Sequence, residues 1–133
     1  MASNEVKADR RYTKDHEWAK SEGGVIRVGI TSFAVDQLGD ITLVNLDVKP
    51  GTTLTAGRAF GTIESVKTLS DLFAPVSGKV ERVNDALETK PELVNDDCYG
   101  EAWMIEITPS DAGEIDTLLD AAAYNEILKT AAH

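Results

Sequence analysis

Among the residues that could do chemistry is Lys67, in Glu64-Ser65-Val66-Lys67-Thr68-Leu69-Ser70-Asp71-Leu72, although residue type and spacing alone do not single it out. An amine on a flexible four-carbon stem can be acylated, or, once desolvated, can form a Schiff base. Taken alone, Lys67 is one of 13 Lys and Arg residues, and such a lysine is ordinarily a solvated charge. No Asn-Gly or Gly pair marks a tight hairpin around it. The remaining inventory is thin. Cys98 is the only cysteine, so no internal disulfide can form, and the chain suits a reducing compartment. His16 is too distant in sequence to make an evident Cys-His pair with Cys98. No His/Cys cluster has the spacing of metal ligands, so no metal site is expected. There is no Gly-Lys-Ser/Thr phosphate loop and no Gly-x-Ser-x-Gly elbow. Acidic pairs such as Asp96-Asp97 read as solvated surface in a chain with 23 Asp and Glu. This is the inventory of a non-catalytic binding or carrier protein.

The elements that must position Lys67 are mostly strands. Val25–Ile30 is β-branched and reads as a strand, as do Ile41–Val48, Ala59–Val66, Thr68–Phe73 and Lys79–Asn84. Thr31 or Ser32 caps one or two helical turns ended by Gly39. Pro50-Gly51 makes a turn. Two strand-turn-strand halves, one opening at Pro50-Gly51 and one closing at Gly78, meet at Lys67. Asn84–Gly100 is polar, lacks periodicity and is expected to be a long loop. Trp103, Ile105 and Ile107 alternate with Met104, Glu106 and Thr108, which predicts a half-buried strand. In the tail, Ile115, Leu118, Leu119 and Ala122 lie on one helical face, and Asp111 with Glu114 resembles a capping box. Tyr124, Ile127, Leu128 and Ala131 repeat that face.

The expected fold is therefore mainly β, a sandwich or small barrel of antiparallel strands, with a short helix near 31–38 and a helical C-terminal tail. Residues 1–11 are expected to be a flexible polar lead-in to one domain, 12–133. The length of 133 residues suits one domain with a hydrophobic core of its own. A formal charge of −10 repels nucleic acid and anionic membranes and can steer the chain toward basic surfaces on partner enzymes. The N-terminus carries Glu5 and Asp9 and no apolar run, unlike a secretion signal or a transit peptide. A cytoplasmic protein is expected, mitochondrial only as a processed eukaryotic form.

Ile63-Glu64-Ser65-Val66-Lys67, followed by Ser70-Asp71-Leu72-Phe73-Ala74-Pro75-Val76-Ser77-Gly78, resembles the lipoylation site of glycine cleavage H proteins. Tyr12–Trp18, Val28–Thr31, Gln37–Ile41, Pro91–Asn95, Ala102–Ile105 and Leu118–Tyr124 resemble further blocks of that family, in the same order. Thr68 and Cys98 depart from its commoner residues.

The resemblance implies a barrel-sandwich hybrid with Lys67 at an exposed hairpin apex, carrying lipoate in amide linkage. It implies a shuttle that takes an aminomethyl group from a pyridoxal-phosphate glycine decarboxylase to a tetrahydrofolate-dependent aminomethyltransferase. A dihydrolipoamide dehydrogenase then reoxidises the arm. Lipoylating enzymes are the other implied partners, and a monomer is expected. Glu17 and Asp71 match the family's acidic residues at the cleft where the loaded arm parks, and Glu64 is a candidate for recognition by the lipoylating enzyme. Two carrier alternatives stay open: an H-like protein that relays lipoyl groups, and a biotinyl carrier. Biotinyl carriers usually flank the lysine with methionines, where this chain has Val66 and Thr68.

Overall fold

The computed structural model describes residues 6–131. Its strands are β1 (Arg11–Tyr12), β2 (Glu17–Glu22), β3 (Val25–Ile30), β4 (Ile41–Leu46), β5 (Thr53–Leu54), β6 (Ala59–Ser65), β7 (Leu69–Phe73), β8 (Gly78–Val83) and β9 (Ile105–Pro109). They form two antiparallel sheets that do not close into a barrel. One has six strands in the order β1-β2-β3-β9-β8-β5, and the other has three, β4-β6-β7. The inner faces meet in a core that includes Val28, Val44, Phe60, Ile63, Leu72, Val80 and Ile107, all buried. Alternation in β8, and in β4 from Leu43 onward, supplies this core.

The central strand pair is one long hairpin. Leu54 faces Gly78, Arg58 accepts from the Ala74 N–H, Ala59 faces Phe73, and Glu64 faces Leu69. The two halves seen in sequence on either side of Lys67 are thus paired along their length. Helix α1 (Ser32–Leu38) follows β3; the Thr31 hydroxyl accepts from the Ala34 N–H at 3.3 Å, and the Gly39 N–H closes on Val35. Gly39 has φ +81°, a left-handed value that glycine adopts at a helix end without cost.

Four expectations are corrected. Residues 84–100 are not a structureless loop: they hold α2 (Ala86–Thr89) and α3 (Leu93–Asp96), single turns that bury Leu87 and Val94. Such short helices bury too few apolar residues to show a period. The expected helical face Ile115-Leu118-Leu119-Ala122 is broken. Glu114–Thr117 is a 3₁₀ turn, and Leu119 is extended, exchanging hydrogen bonds with Tyr12 at 2.8 and 2.9 Å. The helical tail is α4 (Ala121–Ala131) alone. Asp111 and Glu114 form no capping box. Asp111 accepts from Gly113, while Glu114 reaches Ser77 in a strand connection distant in sequence. Finally, the lead-in is not loose up to residue 11. Arg10 is buried, with its guanidinium 4.6 Å from the Trp18 ring centroid, and Arg11 begins β1. Residues 1–5 lie outside the described residues.

A second cluster holds the tail on the body. Tyr12 and Tyr124 stack with centroids 4.6 Å apart, beside Trp18, Phe33 and Leu128. The Tyr124 hydroxyl lies 2.8 Å from His16 Nδ1 and 2.7 Å from the Thr31 hydroxyl, tying α4 to the start of β2 and to the cap of α1. Tyr124→Phe keeps the stack and removes both bonds. It is expected to cost about 1–2 kcal/mol of folding stability, measured by urea denaturation.

Candidate functional site

Lys67 stands at the tip of the β6–β7 hairpin, exposed to solvent. The turn needs no glycine, because neither Val66 nor Lys67 has a positive φ. Ser65 does the closing. Its N–H donates to the Thr68 carbonyl at 2.8 Å, and its buried hydroxyl accepts from the N–H groups of Lys67 at 3.1 Å and Thr68 at 3.2 Å. A side-chain hydroxyl thus replaces the conformational freedom of an Asn-Gly pair. The Val66 N–H donates to the Asp40 carbonyl at 3.0 Å, which anchors the tip to the segment after α1.

That segment is itself fixed from the region expected to be a loop. Asn95 in α3 accepts from the Ile41 N–H at 2.9 Å and donates to the Gly39 carbonyl at 3.0 Å. The lysine stem lies over Gly39: a Cβ added there would sit 3.3 Å from Lys67 Cε. Lys67 is therefore an exposed amine on a stem whose backbone is held on three sides, not a desolvated amine inside a pocket. This geometry removes the Schiff-base reading, which needs burial to free the amine of its proton.

Beside the tip lies a cleft of about 520 Å³ between α1, the start of β2 and the edge strand β7. Phe33, Ala34, Leu38, Ile63, Leu72 and Phe73 give it apolar walls. Among the described residues three acidic ones line it, Asp15, Glu17 and Asp71, and no lysine or arginine does. The structure thus brings Glu17 and Asp71, 54 residues apart in sequence, to one cavity. Asp15 is a lining residue that the sequence reading missed; nothing in its neighbourhood sets it apart from other surface acids. Ser65 and Asn95 were missed as tip-holding residues too, although a serine two positions before an unexplained turn was a usable signal. Glu64 is not in the cleft. It lies exposed on β6, on the outward face of the three-stranded sheet.

Glu17 is only 2% exposed. One carboxylate oxygen accepts from the Thr13 hydroxyl at 2.6 Å, and the other accepts from the Phe73 N–H at 3.3 Å on the free edge of β7. Burial outweighs those two bonds and pushes its pKa up to about 7. The neighbouring His16 adopts φ 72°, unusual for a residue with a Cβ, and stands between two of the acidic residues that line the cavity, Asp15 and Glu17. Burial lowers the His16 pKa from its ordinary value, against the opposing charge of Asp15. Among the described residues no group of three His, Cys, Asp or Glu could hold a metal ion. No described helix is long and apolar enough to cross a membrane.

Two packed antiparallel sheets that hold an exposed amine on a braced hairpin, beside an apolar cleft lined by acidic residues, have the architecture of a carrier domain. The comparisons give the particular family. The glycine cleavage H-protein model matches residues 10–131. The glycine cleavage system H protein of Bacteroides fragilis is 53% identical, over 89% of this chain and 93% of that protein. The one from Thermus thermophilus is 49% identical, over 96% of this chain and 99% of that protein. The crystal structure of a glycine cleavage system H protein from Mycobacterium marinum superposes with a TM-score of 0.82 at 40% identity, covering 96% of this chain and all of that one. The chain belongs to the glycine cleavage H-protein family, the lipoyl-bearing carrier component of the glycine cleavage system.

The buried Glu17 gives a pH test. A carboxyl that binds its proton more tightly folded than unfolded stabilises the fold least where it must be charged. Its contribution is greatest below its ordinary value near 4.5 and declines as pH rises through about 7. Glu17→Gln should remove that decline. The Tm difference, wild type minus variant, is expected to fall between about pH 5 and about pH 8, followed by circular dichroism.

Proposed function

We propose that Lys67 is the lipoyl attachment site, and that the cleft between α1 and β7 shelters the arm between partner enzymes. The observation that carries the proposal is the pairing of an exposed, backbone-braced amine with an adjacent acid-lined apolar cavity. Lipoate supplies a dithiolane that accepts a reduced one-carbon amine with two electrons and gives them up elsewhere. The residues fit such a group. The amine is reachable by an attaching enzyme, and lysine stem plus acyl chain spans on the order of 10–15 Å. The cavity begins close to the tip: Ser70, three positions after Lys67, lines it, and so does Leu38, next to the Gly39 that the lysine stem overlies.

The chain's own residues have separate tasks. Lys67 provides the tether. Phe33, Leu38 and Leu72 give the arm's hydrocarbon an apolar wall and exclude water from it. Asp15, Glu17 and Asp71 favour a positively charged cargo there, by charge-assisted hydrogen bonds. Glu17, with a pKa near 7, gives up its proton readily as a cation approaches, so cargo and carboxylate stabilise each other. Exposed Glu64, three residues before the lysine, is proposed to help the lipoylating enzyme recognise the tip. The catalytic partners proposed are the pyridoxal-phosphate glycine decarboxylase, the aminomethyltransferase and dihydrolipoamide dehydrogenase. The carrier acts as a cytoplasmic monomer that visits each in turn.

Intact mass of the protein isolated from its host should show one lipoyl group, absent from Lys67→Arg. A biotinyl mass would favour the rival carrier reading. For the cleft, Glu17→Ala and Asp71→Ala are expected to shorten the lifetime of the cargo on the isolated, loaded protein severalfold. The loss is followed by ammonia and formaldehyde release. Lifetimes equal to wild type in both variants would leave these two acids without that role.

A further inference from the structure

Among the described residues, the exposed large hydrophobics are Leu43, Val66 and Leu69, at 46%, 67% and 62% exposure. All three lie around Lys67. Leu43 on β4 faces Glu64 on β6, and Glu64 faces Leu69 on β7, so the three side chains form one row across the outward face of the three-stranded sheet. Neighbouring strands are about 4.8 Å apart, which makes the row about 10 Å wide. Val66 extends it onto the turn.

Leu43 is outward for a specific reason. Ile41 is buried and pairs with Ser65; simple alternation would bury Leu43 with it. A β-bulge between Ile41 and Leu43 adds Thr42 and turns Leu43 to solvent, and the Thr42 hydroxyl donates to the Glu64 carbonyl at 3.2 Å. Exposing leucines on a sheet face costs solvation that nothing among the described residues recovers, and a bulge that re-aims a side chain is a built feature.

We infer that the row Leu43-Glu64-Leu69, with Val66, is the docking surface for the enzyme that acylates Lys67. This rests on the reading that Lys67 is the attachment site, and it extends the proposed role of Glu64 to an apolar surface around it. Reach decides which partner the row fits. An unmodified lysine stem extends only about 6 Å beyond its Cα, five bonds of roughly 1.5 Å in zigzag. An enzyme acting on that amine must therefore close over the tip itself and cover the row. Partners that act on the end of the finished arm work on the order of 10–15 Å away and need not touch it. A carboxylate between two leucines calls for a basic side chain set in an apolar patch of the enzyme.

The test uses the unlipoylated full chain, a lipoate–protein ligase, ATP and lipoate, with attachment read by intact mass. Leu43→Thr with Leu69→Thr keeps strand propensity and removes the apolar row. The double variant is expected to lose about tenfold in kcat/KM, mostly through KM, with an unchanged circular dichroism melt. Once lipoylated by long incubation, the same variant is expected to be reduced by dihydrolipoamide dehydrogenase and NADH at the wild-type rate. Attachment at the wild-type rate overturns the docking surface. So does a loss confined to the dehydrogenase step. A wild-type chain that takes up no lipoyl group, with the ligase active on another carrier, overturns instead the reading that Lys67 is the attachment site.

Discussion

The Ser65 hydroxyl is the contact on which the presentation of Lys67 depends. Buried at the end of β6, it accepts from two consecutive N–H groups of the turn and leaves the next side chain directed to solvent. Without it, two backbone donors at the tip would rely on water, and the turn could sample other shapes. The Asp40 carbonyl and the Asn95 side chain extend the bracing from the hairpin to α1, β4 and α3. A carrier gains from this division. A long flexible arm supplies reach, and a rigid base means that each partner meets the same tip.

The second constraint is electrostatic. Glu17 is taken from water to hold the free edge of β7, through the Phe73 N–H, while Thr13 satisfies its other oxygen. The arrangement stitches β2 to β7 across the gap between the two sheets. It also leaves a carboxyl of raised pKa facing an apolar cavity, where a cation would be welcomed more than at the surface. The left-handed His16 and its bond to Tyr124 hold that corner, so the C-terminal helix serves the cleft from behind without lining it.

Some of this was legible residue by residue. Val25–Ile30 is wholly β-branched or glycine apart from Arg27, and Thr31 and Gly39 bracket a single short helix; local chemistry suffices there. Glu17–Glu22 was not legible as a strand, since Glu-Trp-Ala-Lys-Ser-Glu has no clean alternation; its first three residues are all buried because the sheet is covered on both sides at that point. Glu106 reads as the solvent face of β9, yet it is buried beneath Arg27 and Arg82, which pair with it from the neighbouring strands. Leu118 and Leu119 sit at helical spacing, but the bonds that Leu119 exchanges with Tyr12 outweigh a local preference worth a few tenths of a kcal/mol per residue.

By itself, the sequence determined a β-rich chain with a short capped helix and a helical end, no catalytic constellation, and one lysine set between two strands in a pattern resembling a lipoylation site. All but the last follow from period, turn chemistry and residue type, which act over a few positions; the lysine stands out only through the family resemblance. Only the tertiary structure decided that Lys67 is a braced tip beside a cavity, that Asp15 joins Glu17 and Asp71 there, and that a bulge turns Leu43 outward beside Leu69. Each depends on contacts between residues tens of positions apart. Burial, pKa and exposure are properties of the packed whole, and no local window of sequence contains them.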